Sequence, residues 1–270
     1  CSGNSLKWFP DKRGLAAGAT AAGFGGGAAI TVIPVANMIN TSGYEQAFFV
    51  FGIVQGIIIT CCALFMPRAK LPPGTKAVPR VISSKKNYNP AQIVREPLFW
   101  LIYVCFVGVA SGGIMATASF GPVSRDYGLD KIPVTCLGVT LPLLTMAMSI
   151  DNICNGASRP IMGYLSDRFG RENIMFVVFM GEAAALLGLV FWGRQPLGFM
   201  FFAGMTFACW GEIFSLFPSM CADTFGSANA AGNAGTLYTA KGTSSLIVPL
   251  AAGLAKGGNW NRTFILSACI

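Results

Sequence analysis

Arg159 and Lys241 are cations set inside long apolar stretches, Val134 to Tyr164 and Ala230 to Ala255. A charge at the centre of a bilayer costs at least about 2.5 to 3.5 kcal/mol unless a wet cavity, a buried partner or an anionic solute recovers it. A planar guanidinium grips a carboxylate through two parallel N–H donors, whereas an ammonium acts as a compact point charge. Together the two cations suit a small dianion better than a neutral solute.

Other polar residues share these stretches. Asp151, Asn155 and Arg159 follow i, i+4, i+8 spacing and form one stripe of a helix. Asp151 and Arg159 are then separated by about 12 Å of helical rise, too far for direct contact. Glu212 lies in the apolar stretch Leu197 to Met220, and Glu182 in Ile174 to Trp192. Two readings of Asp151 and Glu212 stand open: they hold the cations between substrates, or one carries a proton and couples transport to it. Trp210 and Phe214 form an i, i+4 pair, and Tyr238 precedes Lys241 by one turn. These aromatics could wall the anion site, limiting its size and excluding water.

The chain has no histidine and no Cys-x-x-Cys. That removes His-based metal sites and His-dependent triads, so neither an enzyme nor a metal or other cofactor is expected. Its nine cysteines read as small packing residues. The run Gly23-Phe24-Gly25-Gly26-Gly27 lacks the Gly-Lys-Ser/Thr that a phosphate loop needs. Close helix packing explains it, with Gly14 and Gly18 one turn apart.

The elements that carry these residues are membrane helices. The sequence is 53% hydrophobic and 11% charged, against roughly 25% charged in soluble domains. Runs of about 20 apolar residues, enough to cross a hydrocarbon core of about 30 Å, recur along it. Seven spans are predicted: Leu15 to Ile39, Ala47 to Met66, Leu98 to Phe120, Val134 to Tyr164, Ile174 to Trp192, Leu197 to Met220 and Ala230 to Ala255. An eighth begins near Thr263, and the chain, which opens at Cys1, reads as part of a longer protein.

The polar stretch Pro67 to Pro97 carries seven Lys/Arg against the single Glu96. By the positive-inside rule it faces the cytoplasm, and alternation puts Cys1 to Gly14 and Ser166 to Asn173 on the same side. Those three regions hold twelve Lys/Arg and the opposite loops five. The net charge of +8 is thus a topology signal rather than a nucleic-acid footprint. The bilayer is the partner it implies.

Gly163-Tyr164-Leu165-Ser166-Asp167-Arg168-Phe169-Gly170-Arg171 joins two spans through a very short charged turn. Gly163 and Gly170 permit close approach, while Asp167 can face a helix N-terminus or neighbouring cations as a breakable latch. This string resembles the cytoplasmic loop signature of the major facilitator superfamily. The resemblance narrows to the oxalate/formate antiporter family at Lys7-Trp8-Phe9-Pro10-Asp11-Lys12-Arg13-Gly14-Leu15-Ala16-Ala17-Gly18, Asn155-Gly156-Ala157-Ser158-Arg159-Pro160, Leu216-Phe217-Pro218-Ser219 and Ala240-Lys241-Gly242-Thr243.

The resemblance implies an all-α, polytopic helical bundle running from helix five to the start of helix twelve. Residues 1–66 would end the first six-helix half, 67–97 would be the cytoplasmic linker, and 98–270 would form the second half. It implies that Arg159 and Lys241 bind the two carboxylates of oxalate, bordered by Trp210, Tyr238, Phe24 and Phe214. It departs from the family at Phe24 and Phe214, which stand for tyrosines, and at Asp151 and Glu212, which stand for neutral residues. The function expected is oxalate:formate-type antiport by a monomer in the inner (plasma) membrane. Proton-coupled uptake of pyruvate-like or lactate-like anions is the alternative.

Overall fold

The structure is a computed structural model that describes residues 2–67, 86–136, 138–249, 253 and 260–269. It opens with a short helix, α1 (Ser2–Trp8), and then α2 (Arg13–Leu64). α2 is two helical arms joined at Gly43, whose φ of 84° and ψ of 164° lie where only glycine is unstrained. One groove is lined by Thr20, Thr31 and Ile39 from the first arm and by Ala47, Gln55 and Ile59 from the second. The arms therefore run side by side, and the two spans expected at Leu15 to Ile39 and Ala47 to Met66 are these arms.

The short α3 (Pro90–Ile93) begins with a reciprocal cap: Asn89 Oδ1 accepts from the Gln92 amide, and Gln92 Oε1 accepts from the Asn89 amide. α4 (Pro97–Asp126) follows, with Pro97 at a helix start where its missing N–H costs nothing. Residues 68–85 of the expected linker lie outside the described residues.

One boundary expected from sequence is corrected. The span drawn from Val134 does not begin there: β1 (Pro133–Cys136) and β2 (Val139–Pro142) form an antiparallel hairpin, and α5 spans Leu143–Phe169. Apolarity alone does not separate a hairpin from a helix over so few residues. Here Pro133 and Pro142 bracket β-branched Val134, Thr135, Val139 and Thr140, which favour extended backbone. Thr135 and Thr140 face each other with hydroxyls 2.8 Å apart.

After Gly170, at φ 94°, comes α6 (Arg171–Trp192), then α7 (Pro196–Gly211) and α8 (Ile213–Phe225), joined through Glu212. α9 covers Ala230–Ser245 and α10 Trp260–Cys269. In the span expected to reach Ala255, α9 ends at Ser245, Leu246 and Ile247 form a turn, Val248, Pro249 and Gly253 are helical again, and residues 250–252, 254 and 255 lie outside the described residues. By length and composition, α2, α4, α6 and the continuous run Pro196–Phe225 can cross a membrane. α5 has 27 residues, about 40 Å at 1.5 Å per residue, but it carries the polar stripe. The protein is all-α apart from the hairpin, and is a multi-pass membrane protein.

Two apolar clusters hold the helices. Phe106 of α4 stacks on Phe217 of α8, with centroids 4.4 Å apart and planes 9° from parallel. Phe120, Phe199, Trp260 and Phe264 centre the other cluster. α2 and α5 meet with almost no side chain between them: a Cβ on Gly14 would strike the Gly163 carbonyl, one on Gly18 the Arg159 carbonyl, and one on Gly25 the Gly156 amide. Small residues at such contacts let backbones approach where lipid offers no hydrophobic drive.

Candidate anion site and charged latch

Arg159 projects from α5 and is 4% exposed. Its Nη2 donates to Asn155 Oδ1 at 2.6 Å, one turn earlier on the same stripe. Its Nη1 donates to the Ala21 carbonyl of α2 at 2.8 Å. The guanidinium carbon stands 4.9 Å from the centroid of the Phe214 ring. Lys241, exposed on α9, brings its Nζ to 4.8 Å from the centroid of that same ring. The two cations picked out from sequence thus come together around one aromatic side chain.

Phe214 is fixed from both sides. Trp210 packs its edge against it at 5.6 Å, and Tyr238 stacks on it at 6.1 Å with planes 20° apart. The Tyr238 hydroxyl donates to the Phe214 carbonyl at 3.0 Å. Trp210 lies against Gly113 of α4, where a Cβ would enter the indole ring. The structure therefore joins Arg159, Asn155, Lys241, Trp210, Phe214 and Tyr238. The side chain of Phe24 lies outside the described residues.

Three buried carboxylates lie on α5, on α6 and at the α7–α8 junction. Asp151 is 2% exposed and faces Gly204 of α7, and its Oδ1 has no hydrogen-bond partner among the described residues. Glu212 is fully enclosed at the α7–α8 junction and neither oxygen has such a partner; the same holds for both oxygens of Glu182, which is 4% exposed. Glu182 and Glu212 lie within electrostatic reach of each other, and Glu212 of Arg159.

A second constellation forms at one end of the bundle. Asp167 accepts from the Gly14 and Leu15 amides at 2.8 Å each and from Arg171 at 2.7 Å. Lys12 offers α2 no side-chain cap, so the carboxylate from the α5–α6 turn satisfies its orphan amides and faces the positive end of its dipole. Arg171, 3% exposed, also donates to Ser166 Oγ at 2.5 Å and to Asp223 of α8 at 2.9 Å. Asp223 takes a second arginine, Arg13 of α2, at 2.8 Å. Gly163 lies against Gly14 and Gly170 makes the turn. Arg168 stays outside, exposed and 5.7 Å from the Phe169 ring. The sequence pointed to Asp167 but not to Asp223, whose only signal was an acid three residues beyond the expected span Leu197 to Met220.

The described residues from Lys86 to Asn89 reach this end. The Tyr88 amide donates to the Phe225 carbonyl, and Asn229 donates to the Tyr88 carbonyl. The described end of the linker thus docks beside α8, near the start of α2 and the α5–α6 turn.

Comparison with known proteins narrows the identity. The chain is 35% identical to the oxalate:formate antiporter of Oxalobacter formigenes over 266 residues, covering 97% of this chain and 60% of that protein. It is 25% identical to the uncharacterized MFS-type transporter YhjX of Escherichia coli (strain K12), covering 90% and 58%. It is 24% identical to the MFS-type transporter opdF of Penicillium oxalicum, covering 96% and 58%. The chain spans about three fifths of the length of these relatives. Residues 4–249 match the Major Facilitator Superfamily, and the chain belongs to this superfamily.

Proposed function

We propose that the whole protein exchanges small dicarboxylate and monocarboxylate anions across a cell's inner (plasma) membrane, oxalate against formate, by alternating access. The observation that carries this reading is the convergence of Arg159 and Lys241 on the Phe214 ring at 4.9 and 4.8 Å. Two cations that close repel one another, and a dianion between them cancels both charges. Similarity to the oxalate:formate antiporter supports the choice of anion. Exchange follows from the same electrostatics, because closure around two uncompensated cations is opposed.

The domain reading belongs with this proposal: residues 1–66 close the first half, 67–97 link, and 98–270 form the second. The Asp167–Arg171–Asp223–Arg13 network then ties the two halves at one face, made when that face closes and broken when it opens.

The buried carboxylates favour a second reading, proton-coupled monocarboxylate uptake with Asp151 or Glu212 as the proton carrier. Enclosed carboxylates without hydrogen-bond partners are costly and in membrane proteins mark ion pathways. The deciding experiment is counterflow with the full-length protein in liposomes. Labelled oxalate entering against internal formate without a proton gradient, and lost in Arg159→Ala and Lys241→Ala, supports exchange. Uptake of pyruvate or lactate only under an inward proton gradient overturns it.

A further inference from the structure

We propose that Asn155 is a positioning residue that sets the plane of the Arg159 guanidinium, and that its neutrality gives the site its preference for a dianion over a monoanion. This rests on the reading of Arg159 as an anion ligand. The Asn155 amide is wedged. On one side it accepts from Arg159 Nη2 at 2.6 Å. On the other it lies against Gly211 of α7, where a Cβ would come within 3.1 Å of the Asn155 amide carbon. Asn155 is 5% exposed, so its side chain has little freedom to swing away. The Ala21 carbonyl holds Nη1 at 2.8 Å and Phe214 flanks the guanidinium at 4.9 Å.

These two acceptors, Asn155 Oδ1 and the Ala21 carbonyl, are uncharged. They orient the guanidinium without contributing a negative charge of their own, as a carboxylate in the place of Asn155 would. A negative charge there acts on a bound dianion about twice as strongly as on a monoanion at the same distance. Preference between the two is thus set by an amide that need not touch the substrate.

The test compares Asn155→Ala and Asn155→Asp with the wild type in the full-length protein, by oxalate and formate exchange in liposomes. Purified protein in detergent is treated in parallel with phenylglyoxal, and modification of Arg159 is read by peptide mass spectrometry. Asn155→Ala frees one end of the guanidinium, so Arg159 modification rises several-fold and KM rises for both anions by a larger factor than kcat falls. Asn155→Asp keeps the acceptor and the volume, so modification stays low, yet the oxalate KM rises about tenfold more than the formate KM. Unchanged modification in Asn155→Ala overturns the positioning role. Equal KM changes for the two anions in Asn155→Asp overturn the charge argument. A wild type that exchanges neither anion refutes the functional reading, and the modification arm still decides whether Asn155 positions Arg159.

Discussion

Arg159 and Lys241 come from different helices and meet at one ring, that of Phe214, at 4.9 and 4.8 Å from its centroid. A ring face offers each cation an attraction of about 0.5 to 2 kcal/mol without adding a charge. Phe214→Ala therefore removes a contact from both cations and unstacks Tyr238. The expected result is an oxalate Kd raised by about tenfold, equal to about 1.4 kcal/mol. Phe214→Tyr keeps the ring and should stay within about threefold of wild type. Equilibrium binding of labelled oxalate to the two purified variants checks both expectations.

The two cations are not interchangeable. Arg159 donates through two nitrogens to acceptors on two helices, Asn155 on α5 and Ala21 on α2, and an ammonium cannot reproduce that fork. Arg159→Lys is expected to lower kcat/KM for oxalate by more than about a hundredfold, the loss of two charge-assisted hydrogen bonds at about 1.5 kcal/mol each. Lys241→Arg, at an exposed position with room for the larger head, should cost less than a tenth of that factor. Equal losses in the two variants would remove the distinction.

How legible this was in the sequence varied with the physics of each feature. Arg159 and Lys241 could be read directly, because a charge in an apolar run is expensive and needs a reason. Phe214 was in view as a helical neighbour of Trp210, but its place between the cations depends on how α8 packs against α5 and α9, and no local pattern encodes that. Asp223 was hidden because a charge at the end of a span is ordinary. The Ala21 carbonyl has no sequence signal, since any residue supplies one. The β1–β2 hairpin was absorbed into a span because its apolar, β-branched residues have the composition of a membrane helix. α1 was read as loop because seven residues are too few for periodicity, although Leu6 packs on Ala17, Ala222 and Ala230.

Asp223 joins Arg13 and Arg171, from α2 and α6. Removing one partner of a buried ion pair leaves the other charge stranded, typically at about 3 to 5 kcal/mol. Asp223→Asn strands parts of two arginines and should lower the detergent unfolding temperature more than Arg168→Gln, which alters a side chain outside the network. Buried pairs are weakly screened, so the difference between the variants should persist from about 0.1 to 1 M salt. Loss of the difference at high salt would place the pairs in solvent.

The α2–α5 seam gives a steric prediction. A Cβ at Gly163 would meet the Gly14 carbonyl, whereas one at Gly121 of α4 meets nothing within 4 Å. Overpacking of this kind costs about 1 to 3 kcal/mol. Gly163→Ala should destabilise the protein and separate the helices enough to weaken the Asp167 contacts at the start of α2. Gly121→Ala should be neutral or slightly stabilising, since alanine favours a helix by up to about 1 kcal/mol. Detergent unfolding temperatures of the two variants check this: a drop in Gly163→Ala alone is expected, and equal temperatures would remove the steric argument.

Glu212 discriminates between the two transport readings. Its carboxyl is fully enclosed and has no hydrogen-bond partner among the described residues, so Glu212→Gln keeps shape and hydrogen-bonding capacity while removing the ability to gain or lose a proton. If the protein exchanges anions without protons, counterflow in Glu212→Gln persists at a rate within about threefold of wild type, and the unfolding temperature holds or rises because a costly buried ionisable group is gone. If Glu212 carries the coupling proton, the variant still equilibrates substrate across the membrane but no longer concentrates it under an inward proton gradient. Asp151→Asn serves as the parallel case on α5, some two turns from Arg159, and Glu182→Gln on α6. Loss of gradient-driven accumulation in Glu212→Gln alone assigns the proton to the α7–α8 junction, and its loss in Asp151→Asn alone assigns it to the stripe that carries Arg159.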